Sequence, residues 1–288
     1  MGYQFSQTDP SAQKALRRIA REQIDTALAA VRADGPTGPR IHQMRKSVKK
    51  LRGLIRLVRP GFSDFAPENA ALRDAARGLS ARREAAVNLA TLNKLLPEAN
   101  VSADLADTLR DALSAPEPAD TSASADALTG FADAMTALRG RSKDWKLDAD
   151  GFDAVSGGLE QTWKRARHEM AAALDTPTTE AVHEWRKRVK DHWYHARLLS
   201  PIWPEAMAPH VETADRLGEA LGDHHDLAVL VTALESRGIR GIKPILAAAR
   251  KRQSALIAAA RTDAGRLFAD SAPCLVARWG AWWRIWRA

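Results

Sequence analysis

Two stretches of the chain place a histidine and several cations at helical spacing. His42-Gln-Met-Arg45-Lys46-Ser-Val-Lys49 is answered 141 positions later by His183-Glu-Trp-Arg186-Lys187-Arg-Val-Lys190. In the same register Arg56 matches Arg197, Leu57 matches Leu198 and Pro60 matches Pro201. Arginine offers phosphate a bidentate fork and lysine a mobile point charge, so these residue types suit a polyanion. A histidine at the opening of a helix adds an imidazole beside free backbone N–H groups, which themselves favour anions.

Projected at about 100° per residue from His42, Lys46 falls near +40°, Lys49 near −20°, Arg56 near −40°, Arg45 near −60° and Arg52 near −80°. Met44, Leu51, Leu54 and Val58 take the opposite, core-facing side. In the second copy His183, Arg186, Lys187, Lys190 and Arg197 occupy the matching arc, with Trp193 in the place of Arg52 and Tyr194 in that of Gly53. The Tyr194 hydroxyl either donates to phosphate or packs. Like charges at these spacings repel by about 0.2–0.5 kcal/mol per pair. Solubility alone would interleave acids. A one-sign stripe written twice is better explained by a ligand of opposite charge, with affinity expected to rise from pH 8 to 6 as the imidazoles protonate.

The elements that position these residues read as helices almost throughout. Alanine, leucine and arginine dominate, and apolar residues recur every three or four positions. A first helix is expected from an Asp9-Pro10 cap to about Ala33, then the first motif helix over about 40–59, ending at Pro60-Gly61. Further helices are expected over about 67–96 and 101–139, the latter broken by a mobile, proline-bearing loop at 114–124. The order then repeats: about 152–174, the second motif helix over 178–199 behind Asp175-Thr176-Pro177, then 205–236, and 243–288 with a break near Pro273. The expected fold is all-α, two pseudo-symmetric four-helix bundles from an internal duplication, divided as 1–145 and 146–288.

Composition narrows the function classes. With 288 residues, 45% of them hydrophobic, a sizeable core is available. Lys plus Arg exceed Asp plus Glu by 43 to 35, a formal charge of +8, which favours polyanionic partners. Cys274 is the single cysteine, so no intrachain disulfide or cysteine-based zinc site is available. The first residues lack the pattern of a signal peptide, and no apolar run approaches the ~20 residues of a membrane span, so a soluble protein of a reducing compartment is expected.

The two motifs resemble the signature of the conserved histidine α-helical domain (CHAD) family, His-x-x-Arg-Lys/Arg-x-x-Lys/Arg on a helix, once per half. The first copy continues the match through Lys50-Leu51-Arg52, and the second departs at Asp191-His192-Trp193. A second element of that family, Leu-Gly-x-x-x-Asp on the following helix, resembles Leu221-Gly222-Asp223-His224-His225-Asp226, with Glu84 at the corresponding place in Leu79-Ser-Ala-Arg82-Arg83-Glu84. The resemblance implies two helical bundles whose basic helices line a shared groove or pore, and it implies inorganic polyphosphate as the ligand. The binding set it implies is His42, Arg45, Lys46, Lys49, Arg52, Arg56, His183, Arg186, Lys187, Lys190, Tyr194 and Arg197. Glu84 and Asp226 would orient cations from within the fold. It also implies a cytoplasmic place, with polyphosphate granules as one destination, and no cofactor. The Glu-x-Glu-x-Lys motif of the catalytic domain that often accompanies the family is missing, so a stand-alone, non-catalytic binding module is expected.

Two rivals belong to other classes. His225-Asp226 suggests an all-helical metal-dependent phosphohydrolase, but the further ligands do not assemble in order. His192 and His195 are one turn apart yet project to the apolar side, where packing is expected rather than a metal. The same basic stripe could hold nucleic acid, less favoured here than polyphosphate. Trp279, Trp282, Trp283 and Trp286 among Arg278, Arg284 and Arg287 are expected to close the second bundle. Arg17, Arg21, Lys164 and Arg167 are expected to be solvated rather than part of the groove.

Overall fold

A computed structural model describes residues 2–79, 84–114 and 121–288, the side chains of 84–86 and 121–125 excepted. Among the described residues there are eleven α-helices and no strand. They are α1 (Ala12–Arg32), α2 (Thr37–Leu57), α3 (Phe65–Arg77), α4 (Glu84–Ala99), α5 (Ala103–Ser114), α6 (Thr121–Ser142), α7 (Asp153–Asp175), α8 (Thr179–Leu199), α9 (Pro204–Glu235), α10 (Lys243–Leu267) and α11 (Ala272–Arg287). The motif helices are α2 and α8. A shift of 141 positions carries α1 and α2 onto α7 and α8 to within two residues.

Local chemistry sets the boundaries. Proline cannot continue a helix, and both motif helices run into a short 3-10 turn holding one, Arg59–Gly61 with Pro60 and Ser200–Ile202 with Pro201. Thr178, just past Asp175-Thr176-Pro177, caps α8, its side chain accepting from Ala181 N–H. Ser11 likewise caps α1 in place of the expected Asp9, whose carboxylate receives Ser6 N–H and the Arg18 guanidinium instead. The expected helix over 67–96 is two helices, α3 and α4, and helix resumes at Thr121, inside the segment expected to be a loop. Residues 115–120 of that segment lie outside those described.

Two clusters of buried side chains hold the fold. The larger joins the N-terminal Tyr3 and Phe5 to α1, α2, α3, α6, α7, α8, α11, the first part of α9 and the last part of α10. The smaller packs Leu92, Leu95, Leu109 and Leu113 of α4 and α5 against Leu227, Leu230 and Leu234 of α9 and Ile245 of α10. Packing therefore crosses the middle of the chain twice, through α2 on α7 and α8 and through α4 on α9 and α10. Trp279 and Trp283 of α11 are buried, and Arg287 donates to the carbonyls of Ser6, Gln7 and Asp9, closing the C-terminal helix onto the N-terminal arm.

Two glycines make the central approaches possible. A Cβ at Gly158 of α7 would fall 1.9 Å from the Leu57 carbonyl oxygen, so α7 and α2 meet backbone to backbone. One at Gly53 of α2 would fall 2.8 Å from Tyr194 Cβ on α8. Gly53 and Tyr194 are register mates, so the two motif helices cross at equivalent positions.

Candidate functional site

The crossing divides each cationic arc. At about +20° from the motif histidine, Gly53 and Tyr194 sit in the middle of the arc, and there the two helices face each other rather than solvent. On the N-terminal side of the crossing His42, Lys46 and Lys49 are exposed and Arg45 is half-buried. On the C-terminal side the cations turn into the contact between the helices.

That contact centres on Asp191 of α8, which is 6% exposed. Its carboxylate accepts from Arg56 of α2 and lies 2.9 Å from Arg188 Nη1 on its own helix. Burial raises the Asp191 pKa, against the pull of Arg56, Arg188 and Arg52. Arg52 donates to Asn69 Oδ1 of α3 at 3.0 Å, and its pKa is lowered by burial and then by Arg56. Lys50 Nζ lies 5.3 Å from the Tyr3 ring centroid, its pKa lowered by burial and then by Arg197 of α8 and Lys46. The cations of the two helices thus feel one another across the crossing, with one buried carboxylate among them.

The departure of the second motif from its signature is this interface. Asp191 supplies the shared acid. His192 is fully buried, ringed by Trp163, His210, Phe268 and Trp279 with ring centroids 4.8–5.9 Å away. Burial, then His210 and His195, holds its pKa well below the usual imidazole value. Trp193 takes Lys190 Nζ at 4.6 Å and Arg197 at 4.7 Å from its ring centroid. His195 donates from Nε2 to the Gly53 carbonyl at 3.2 Å, and burial pushes its pKa down to about 3.

Tyr194, expected either to donate to phosphate or to pack, is 8% exposed, edge-on to Tyr3 and Trp193, with its pKa pushed up to about 12 by burial. The structure packs its ring at the crossing of the two helices. The expected one-sign stripe is also modified on α8. Lys187 pairs with Glu184 at 2.5 Å, and Lys190 with Asp215 of α9 at 3.0 Å.

Helix α9 explains the Leu-Gly element physically. A Cβ at Gly218 would lie 2.6 Å from Lys190 Cε, and one at Gly222 would lie 3.0 Å from Arg186 Nη2. The two glycines, one turn apart, let these side chains lie across α9. Arg186 Nε reaches to 3.5 Å from the Gly218 carbonyl. His183 stacks on His225 of α9 with centroids 4.4 Å apart. Its pKa is lowered by burial, then by His225, Lys187 and Arg186.

Asp226 lies on the α4 side of α9, in a hollow of about 200 Å³ shared with Asp223, Lys94, Glu98 and Arg252. Glu84 opens α4, but its side chain lies outside the described residues. The buried acid that organises motif cations is Asp191, which sequence reasoning passed over. Its signal was the break in the signature itself, an acid at the position where the first copy has Lys50. Arg188 was missed with it, because its register mate is Ser47 and the duplicated pattern gave it no weight.

The CHAD domain family profile matches residues 15–235, from within the first turn of α1 to the end of α9, and so takes in both motif helices and the glycines of α9. The chain belongs to the CHAD domain family. No curated protein sequence matches the chain. Two features noted above fall within the matched span of this CHAD domain: the crossing at Gly53 and Tyr194, and the seating of Arg186 on Gly222. Among the described residues no group of three or more His, Cys, Asp or Glu side chains is arranged to hold a metal ion. Among the same residues no helix is long and apolar enough to cross a membrane.

Proposed function

We propose that the protein binds inorganic polyphosphate, without catalysis, along a surface built from the N-terminal parts of α2 and α8, and that these two helices descend from an internal duplication. The supporting observation is the crossing of register-equivalent cationic helices at Gly53 and Tyr194, which sets one stripe beside the other. Membership of a family whose domain binds polyphosphate names the ligand.

On this reading His42, Arg45, Lys46 and Lys49 of α2 and His183, Arg186, Lys187 and Lys190 of α8 contact phosphates. The exposed lysines follow a flexible chain, and Arg186, seated on α9, offers a more fixed fork. Arg52, Arg56 and Arg197 lie at the crossing, where they set the local potential. The protein would act in the cytoplasm, at polyphosphate granules where these form.

Binding of this kind releases counterions, so affinity falls steeply with salt. The test is competition at physiological salt between labelled long-chain polyphosphate and unlabelled DNA or RNA, read by fluorescence anisotropy. Polyphosphate is expected to resist displacement. Equal or better binding of nucleic acid would overturn the reading, and release of orthophosphate during incubation would overturn its non-catalytic part.

A further inference from the structure

A second concentration of cations lies away from the signature helices. Helices α1 and α6 enclose a hollow of about 330 Å³, lined by Lys14, Arg17, Arg18, Arg21, Arg139 and Lys143. Ser142 is the remaining lining residue, and no acid lines the hollow. Its size falls in the ~300–1,000 Å³ range of small-ligand sites.

Three of the cations have partners outside the lining of the hollow. Arg18 pairs with Asp9 at 2.7 Å and Glu22 at 3.1 Å, Arg139 with Asp25 at 2.6 Å, and Arg17 Nε donates to the Trp145 carbonyl at 2.8 Å. Lys14, Arg21 and Lys143 are exposed and make no ion pair among the described residues. Six cations therefore stand against three carboxylates, and the acids are spent on fixing guanidiniums rather than on filling the hollow. A merely solvated face would interleave the two signs across its width. Guanidiniums fixed by neighbours, with mobile lysines at their side, suit an anion carrying several charges close together.

The hollow is not part of the duplicated chemistry. In the register that relates α2 to α8, Lys14, Arg17, Arg18 and Arg21 correspond to Val155, Gly158, Leu159 and Thr162 of α7, all buried. The first half alone carries it.

We infer that the α1–α6 hollow is a second anion site, one that takes a compact run of about three phosphates, as in tripolyphosphate or the triphosphate of a nucleotide. The inference stands independently of the reading of α2 and α8. A long chain held at the signature helices would leave this site free for a separate, shorter ligand.

Lysine acylation read by mass spectrometry tests it on the unaltered protein. Tripolyphosphate should protect Lys14 and Lys143 selectively. Equal protection by ATP would assign the site to nucleotide phosphates, and protection by tripolyphosphate alone would assign it to the free chain. Protection by neither overturns the inference. In calorimetry, Lys14→Glu with Arg21→Glu and Lys143→Glu should weaken this site at least about tenfold, since three charge-assisted contacts are reversed. The Lys46→Glu/Lys187→Glu variant should keep the site. Loss of tripolyphosphate binding in that variant, or unchanged binding in the triple variant, would overturn the second site whatever the fate of the polyphosphate reading.

Discussion

Helices α2 and α8 carry the same signature in different surroundings. The acids near α8 are spent locally, Glu184 on Lys187, Asp215 on Lys190 and Asp191 on Arg188, while α2 itself carries no acid and borrows Asp191 for Arg56. Where α2 has Leu51 and Leu54 in the core, α8 has His192 and His195. The difference shows how two helices with one motif can both leave cations exposed at one end while the other end forms an interface. Helix α8 holds the acids that neutralise and anchor, and α2 carries the larger set of cations.

Removing the shared acid should break this arrangement most severely. Asp191→Ala leaves Arg56 and Arg188 facing each other without a counter-charge, and breaking a buried pair costs about 3–5 kcal/mol. Urea unfolding should show a loss of that size, and Lys50→Ala, at the register-equivalent position, should cost under about 1 kcal/mol.

The buried histidines give the next largest effect. The folded pKa of His195 is about 3, below its unfolded value, so the unfolded chain takes the proton first. Stability is complete above about pH 6.5 and falls as pH drops, by roughly 3 kcal/mol at pH 4 from this residue alone. His210, with a pKa of about 4, adds to the loss. His195→Leu, which copies Leu54, should flatten the acid limb of a stability–pH curve; an unchanged limb would place the titration elsewhere.

Gly53→Ala sharpens the comparison at the crossing itself. Its new methyl would press on Tyr194, and overpacking of this kind costs about 1–3 kcal/mol. The partner change Tyr194→Gly, which removes the Cβ that the new methyl would meet, should recover part of that loss in a double-mutant cycle. Additive losses would mean that the helices do not meet there.

Gly222→Ala should leave stability nearly unchanged while displacing Arg186, with a severalfold loss of polyphosphate affinity read by anisotropy. The smallest effect expected is in binding against pH. A bound phosphate chain favours protonated His183, but burial and His225 lower its pKa, so its share of the gain in affinity moves to lower pH than the pH 8 to 6 window that an ordinary imidazole would give. His183→Ala should remove the part of the gain that lies at lower pH and leave the part that His42 supplies.

Much of this was legible in the sequence. Alanine-rich periodicity gave an all-helical chain, and Pro60 and Pro201 marked the ends of both motif helices. Helical projection found the cationic arcs, but it treats a helix as uniform along its length. It could not tell that Gly53 and Tyr194, at the centre of the arc, face another helix. From the sequence Tyr194 therefore reads equally as a phosphate donor or a packing residue, and Asp191 reads only as a departure from the motif although it joins the two helices. The packing of α4 and α5 onto α9 and α10 was equally hidden, because a contact between distant segments leaves no periodicity in either. The α1–α6 hollow escaped for a related reason: its cations come from two segments more than a hundred positions apart, and neither looks unusual alone.

Titration of long-chain polyphosphate into the wild type and the Lys46→Glu/Lys187→Glu variant, at two salt concentrations and with thermal unfolding followed alongside, tests the central claim most directly. Both lysines are exposed and register-equivalent. The account predicts that wild-type affinity drops as salt rises, and that the variant binds at least about tenfold more weakly with little change in melting temperature. Equal binding by the two proteins would contradict it.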